Sequence, residues 1–317
     1  MRYLILALAV CAAGLGLHSP YLLQLLTFVG IQTLLALGLN MLMGYAGQIS
    51  LGHAAFYGLG AYTSGILTAH CHWSPWLALP AAVLLTAVAA FLIALPLLEL
   101  SGFYLGMGTL GFGMIGFVVF RQWSSLTGGD SGLVGIPSLE IGRLSFSPAK
   151  NYFFLVWAVA ILAIFLCERL IRSRIGRALR AIHDSERAAS SMGVDTGRLK
   201  VHVFVFSAVL AAVAGFLYTH LVGFISPSSF DFLVSVRIVT MVVIGGMASV
   251  WGALLGAAVL TVLPETLTVF TEYEMIVYGT VLIVIMILLP QGLFRGILDA
   301  YERARFRSGR VSTGPQG

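Results

Sequence analysis

Between Tyr3 and Phe120 the chain carries a single Asp, Glu, Lys or Arg, namely Glu99, alongside four histidines. A soluble fold needs charged side chains at its surface, and ordinary soluble domains are ~25% charged and ~45–50% apolar. Here 59% of the residues are hydrophobic and 10% charged. Such a run is satisfied in lipid, where every backbone polar group must be paired internally, so helices are expected. Soluble multidomain folds are excluded. The net charge of +5 is concentrated in a few places and speaks about topology rather than nucleic-acid binding.

A helix needs ~20 apolar residues to cross the hydrocarbon core, or ~17 when its flanks snorkel. Ten segments qualify: Tyr3–Leu17, Tyr21–Met43, Gly52–Ala69, Trp76–Leu98, Phe103–Phe120, Tyr152–Cys167, Val201–Val222, Phe232–Ile244, Val250–Leu263 and Met275–Leu289. The loop 168–200 holds eight Lys/Arg, the stretch Arg295–Arg310 five, and Arg2 one, together 14 of 18. Basic loops stay in the cytoplasm. Six crossings before the loop and four after it place both termini, the loop and the basic tail 295–317 on that side. Residues 1–317 then form one membrane domain, with 168–200 as a cytoplasmic insertion. The first segment also fits a secretory leader, but parity favours a retained helix. The two short segments around Gly245–Gly252 read as separate crossings, because a single helix there would put the tail outside.

Two stretches, GMGTLG at Gly106 and GFGMIG at Gly111, match the dinucleotide-fingerprint spacing. That fingerprint needs a preceding strand and a phosphate in water, whereas these lie inside a lipid-length segment. Close helix packing is the expected role of these glycines, and of the pairs Gly102/Gly106 and Gly252/Gly256. There is no phosphate-binding loop, HExxH pair or GxSxG elbow, so neither nucleotide nor peptide hydrolysis is expected from this chain. The three scattered cysteines make no framework, and His70, Cys71 and His72 read as a polar turn rather than a metal site. The non-histidine charges within or bordering the spans are Glu99, Arg237 and Glu265, each near a predicted end. No catalytic residue and no cofactor are expected. The chain reads as a pathway whose energy comes from elsewhere.

The charged loop shows where that energy could enter. Ile175, Leu179, Ile182 and Ala189 recur at helical spacing. Asp184 or Ser185 can cap a second short helix that Gly193 ends, and Asp195 or Thr196 restarts the chain. A surface-lying amphipathic segment is the plain alternative. The run Glu186, Arg187, Ala188, Ala189 and then Gly193 resembles the coupling loop of ATP-binding-cassette importer permeases. The likeness continues in GLNMLMGYAGQISLGHAAFYGLGAY from Gly38, SLTGGDSGLVGIP from Ser125, GRALRAIHDSERAASSMGV from Gly176, VVIGGMASVWGALLGA from Val242, LPE at Leu263 and PQGL at Pro290. Along nearly its whole length the chain resembles the LivM-type permeases of branched-chain amino-acid importers.

That resemblance implies an all-α, type II importer-like bundle of about ten helices in a bacterial inner membrane. It implies a homologous LivH-like second permease, two LivG/LivF-like ATPases that hold the ATP and Mg, and a periplasmic protein delivering leucine, isoleucine or valine. Gly176, Arg177, Arg180, Asp184, Glu186, Ala188, Ala189 and Gly193 would engage the ATPase. Asn40, Gln48, Ser50, His53, Tyr57 and Arg237 are the candidate path residues. The first four must face the bundle, another subunit or water, as cargo contacts or as partners for backbone left open at a broken helix. Arg237 either snorkels outward or meets a cargo carboxylate. Asp130, Asp231, Glu265, Glu272 and Glu274 fit a solvated outer surface or an acidic rim for the binding protein. Urea or another small amide or amino acid as cargo, and an ion-coupled carrier, are the competing readings. Uptake by the isolated chain on an ion gradient alone would mark the carrier.

Overall fold

The computed structural model describes residues 2–17, 19–141, 144–145 and 149–267, and beyond these 279–280, 283–284, 287, 292–294 and 296. It is an all-α bundle: α1 (Arg2–Gly16), α2 (Pro20–Asn40), α3 (His53–Ala69), α4 (Pro75–Leu97), α5 (Phe103–Gln122), the single turn α6 (Ser124–Thr127), α7 (Ala149–Arg172), α8 (Arg174–Asp184), α9 (Glu186–Ser191), α10 (Thr196–Val222), α11 (Phe232–Gly245) and α12 (Val250–Leu267). Among the described residues six helices are long and apolar enough to cross a membrane, namely α2, α4, α5, α7, α10 and α11 with the turn before it. The shorter helices α1 and α3 have 15 and 17 residues, and α12 is apolar over Val250–Thr266. Each falls on an expected segment. Most of Met275–Leu289 and of the tail from Arg295 lies outside the described residues.

Helices α2 and α10 form the centre. α10 packs on α3, α4 and α2, and α2 packs on α12 and α7. Helix α2 is buried on every face over its last twelve residues, Val29 to Asn40, except at Gln32. Helix α4 is the opposite case: Ala78, Ala82, Thr86, Ala90 and Ala94 are its buried positions, one every fourth residue. These share one face of a helix, and their small side chains let α4 sit close to α3 and α10. The leucines between them, such as Leu77, Leu84 and Leu92, point outward, where a bilayer is the suitable solvent.

The closest approach is between α11 and α12. A Cβ built at Gly256 would stand 1.9 Å from the Met241 carbonyl oxygen, and one at Gly245 would stand 2.1 Å from that of Gly252. The expected packing of Gly252/Gly256 is therefore present. The Gly102/Gly106 pair behaves differently, since Gly102 sits in open space at a φ of +57° where α5 begins. It serves a turn there, because only glycine takes that backbone readily. Gly256→Val should lower the thermal midpoint of the detergent-purified chain, with overpacking costing about 1–3 kcal/mol or more. An unchanged midpoint would contradict this contact.

Two short antiparallel pairs complete the fold. β1 (Leu133–Val134) joins β4 (Phe224–Ile225), tying the segment after α6 to the exit of α10, and β2 (Glu140–Ile141) joins β3 (Leu144–Ser145). Since α8 and α9 precede the start of α10 and β4 follows its end, the loop helices and β1/β4 lie at opposite ends of the bundle.

Candidate functional site

The loop helices form as their caps dictate. Ser173 Oγ accepts from the Ile175 amide at 3.1 Å, Ser185 Oγ from Ala188 at 3.3 Å, and Asp195 Oδ1 from Arg198 at 3.1 Å. These starts satisfy amides that a helix leaves open. Gly193, at a φ of +81°, follows the end of α9. Leu179, Ile182 and Ala189 are buried beneath the loop, whereas Ile175 is 45% exposed. Gly176 lies against α7, where a Cβ would come 2.2 Å from the Ile171 carbonyl oxygen. Arg180 donates to that same carbonyl at 3.0 Å, while Arg177, Asp184 and Ala188 are exposed.

Three contacts fasten this loop to the bundle. Lys200 Nζ meets Glu186 Oε1 at 2.6 Å and donates to the Leu98 carbonyl at the end of α4 at 3.3 Å. His183 lies over Gly47, with Nδ1 2.8 Å from where a Cβ would stand. At the root of the loop, Glu168 accepts from Trp251 Nε1 at 2.7 Å, from Arg172 at 3.0 Å and from the Tyr3 hydroxyl, so one carboxylate joins α7 to α1 and α12.

Gly47 belongs to a break between two helices. Helix α2 widens into a π turn over Met41–Tyr45, the chain then runs without helix, and α3 begins at His53. Asn40 occupies the junction: its Oδ1 accepts from the Ala248 amide at 3.0 Å and its Nδ2 donates to the Ser249 carbonyl at 2.8 Å. Ala248 has a φ of +55° in the short link between α11 and α12. A side-chain amide thus pairs the backbone of a second helix break. Gly44 makes room for this, since a Cβ there would stand 2.3 Å from Asn40 Oδ1 and 2.4 Å from the Ala248 nitrogen.

Two further amides at the break are met by residues that the sequence reading overlooked. Thr109 Oγ1 of α5 accepts from Leu51, and Ser235 Oγ of α11 accepts from Ala54, each at 3.0 Å. Gln48 donates to the Ala46 carbonyl at 3.1 Å. Ser50 Oγ and His53 Nε2 are buried with no hydrogen-bond partner.

A cavity of about 500 Å³ opens among α2, α11 and α12. Leu25, Phe28 and Gln32 line it from one face of α2, and Arg237 and Met241 from one face of α11. Tyr57 and Tyr218 close its inner side. Tyr218 stands near the end of α10, so the cavity is at the end away from α8 and α9. Of the six candidate path residues, Tyr57 and Arg237 line this cavity, while Asn40, Gln48, Ser50 and His53 gather at the break. Asp231 and Glu265 are also in its wall, whereas Asp130 pairs with Arg121 at 2.7 Å. Glu272 and Glu274 lie outside the described residues. Asn40 follows Gln32 by eight residues, about 12 Å along a helix at 1.5 Å per residue. The break therefore lies between the cavity and the loop.

The family described as the branched-chain amino acid transport system / permease component matches residues 21–286. The high-affinity branched-chain amino acid transport system permease protein LivM of Escherichia coli (strain K12) is 34% identical over 314 residues, covering 92% of this chain and 74% of that protein. The corresponding LivH of Salmonella typhimurium is 29% identical, covering 82% of this chain and 90% of its own. BraD of Pseudomonas aeruginosa, another permease protein of such a system, is 29% identical over 86% of this chain and 95% of its own. No solved structure matches the chain. With residues 21–286 matched and LivM 34% identical over 92% of this chain, the chain belongs to the branched-chain amino acid transport system permease family.

Proposed function

We propose that this chain is the membrane-spanning permease subunit of an ATP-binding-cassette importer in a bacterial inner membrane, with leucine, isoleucine and valine as cargo. Residues 1–317 form one domain of about ten transmembrane helices, with both termini, the coupling loop 168–200 and the tail 295–317 in the cytoplasm. A LivH-like permease stands beside it. Two LivG/LivF-like ATPases holding ATP and Mg engage the loop, and a periplasmic binding protein delivers the amino acid at the opposite face. The kinship with LivM, LivH and BraD supports the cargo and the second permease.

The observation that carries the mechanism is the wiring of the loop. Closure of the ATPases pushes on α8 and α9. The Glu186–Lys200 pair passes that displacement to α10 and to the end of α4, and His183 passes it to Gly47 in the break. Asn40 couples this break to the one between α11 and α12, beside the cavity. Two broken helices bend at such points more readily than two continuous ones. Met192, 84% exposed at the end of α9, offers the apolar contact that a docking partner covers.

The test is ATP-driven leucine uptake by the full chain assembled with its partner subunits in proteoliposomes. Gly193→Pro is the informative variant. Proline holds φ near −65°, whereas the exit from α9 runs at +81°. Leucine-stimulated ATP hydrolysis and uptake should both fall roughly tenfold, since backbone strain of about 1–3 kcal/mol then falls on the docked geometry. Undiminished stimulation and uptake would sink this coupling route.

A further inference from the structure

Arg237, an exposed residue in the second turn of α11, lines the cavity, and among the described residues no hydrogen bond or ion pair holds its guanidinium. A cation within a membrane-spanning bundle is costly unless water or a partner meets it. Its neighbours in the wall are unusual too. Gln32 Oε1 and Thr261 Oγ1 are both buried with no hydrogen-bond partner, and both side chains line this same cavity. Buried polar atoms are ordinarily paired. Two orphans and one uncommitted cation around a single space mark the place of an absent polar group; the guanidinium requires part of it to accept hydrogen bonds and carry negative charge, and the Gln32 carbonyl oxygen requires part of it to donate.

The same wall also carries the opposite charge. Asp231 caps α11 through Oδ1, which accepts from the Val234 amide at 3.0 Å, leaving Oδ2 for another donor. Asp231 precedes Arg237 by six positions, a rise of about 9 Å along the helix, which a long arginine side chain can largely span to meet one ligand together with Asp231. Glu265, which receives the Tyr21 hydroxyl, is close by in the same wall. The rest of the lining includes the apolar side chains Phe28, Met241 and Leu260.

We propose that this cavity seats an α-amino acid as its zwitterion. The carboxylate is held by Arg237 with the Thr261 hydroxyl as a further donor, the ammonium faces Asp231 and the Gln32 carbonyl oxygen, and the aliphatic side chain lies on Phe28, Met241 and Leu260. A guanidinium fork matches a carboxylate bidentately, and apolar walls with a few convergent polar groups are the usual form of a small-ligand site. The permease itself then selects for a free carboxylate, independently of the protein that delivers the cargo. This inference rests on the amino-acid reading above.

The test uses the full chain with its partner permease in nanodiscs, without binding protein. Saturation-transfer NMR compares leucine with leucinol, which lacks the carboxylate, and with 4-methylpentanoate, which lacks the ammonium. Leucine should bind at least about tenfold better than leucinol, the span expected for hydrogen bonds to a charged group. Arg237→Gln should abolish that preference, Arg237→Lys should keep part of it, and Gln32→Leu should weaken leucine binding by a smaller factor with the charge intact. In the assembled importer, Arg237→Gln should cut leucine uptake about as much as binding while stimulation of ATP hydrolysis by loaded binding protein persists. Where Arg237→Gln fails to assemble, Arg237→Lys and Gln32→Leu decide. Equal binding of leucine and leucinol, or wild-type uptake in the variants that assemble, would overturn the carboxylate seat and leave the proposed function standing. An intact importer that carries no amino acid would overturn both.

Discussion

Replacing Glu186 by alanine is expected to cost the protein more stability than replacing Lys200 by methionine, although the two side chains form one ion pair. The asymmetry follows from burial. The Lys200 side chain is 6% exposed and that of Glu186 is 40% exposed. Without Glu186, the ammonium stays enclosed with the Leu98 carbonyl, 3.3 Å away, as its hydrogen-bond partner, and breaking a buried pair in this manner costs about 3–5 kcal/mol. Without Lys200, the carboxylate turns to water and methionine fills the lysine's path, so the loss is about 1 kcal/mol or less, as for a solvated pair. Thermal unfolding of the purified complex should show this order, and the double variant Glu186→Ala/Lys200→Met should recover most of the Glu186→Ala loss. Equal losses or the reverse order would refute the burial argument. Both single variants should also lower leucine uptake per ATP hydrolysed, because each releases α9 from α10. Glu186 therefore acts inward, as the fastening of the loop, while Met192 and the exposed face of α9 are left for the ATPase proposed above.

The helices were legible in the sequence because apolar runs of lipid length have few other ways to fold. The loop helices were legible too, since Ser185, Asp195 and Gly193 are local signals whose partners lie within a few residues. So was the interruption of α2 at Gly44–Gly52, where glycines and polar residues cluster. What could not be read was which side of each helix faces inward. Helix α2 is enclosed over its second half, whereas α4 buries one stripe of small residues, yet both sequences are apolar all round and lack the periodicity that orients a soluble helix. For the same reason the path candidates divided into two groups. Tyr57 and Arg237 reach the cavity, while Gln48, Ser50 and His53 stay at the break. Gln32 and Thr261, which share the cavity with Arg237, have no local signal at all. Nor does the pairing of Asn40 with residues 208 and 209 positions away, which depends on how two breaks from distant parts of the chain meet.

That meeting point carries the second large expected effect. Asn40→Leu removes both hydrogen bonds at once and leaves the Ala248 amide unpaired, while the Ser249 carbonyl keeps the Ala253 amide at 3.0 Å. An unpaired, part-buried amide costs about 1–3 kcal/mol, and the tie between the two breaks is lost with it, so the variant should unfold more readily or accumulate less in the membrane. Asn40→Asp can still accept from Ala248 but cannot donate to Ser249, and should fall between leucine and wild type. Gly44→Ala should resemble Asn40→Leu, because a Cβ there would displace the asparagine carbonyl from 2.3 Å away. These effects separate a structural clamp from a cargo ligand. A clamp variant that still assembles should lower the maximal rate of uptake with an unchanged apparent KM for leucine, since Asn40 lies about 12 Å beyond Gln32 along α2. An Asn40 variant of normal stability with a raised KM would instead place cargo at the break. The two breaks would then be a second stop on the path, rather than the hinge that the hydrogen bonds to Ala248 and Ser249 describe.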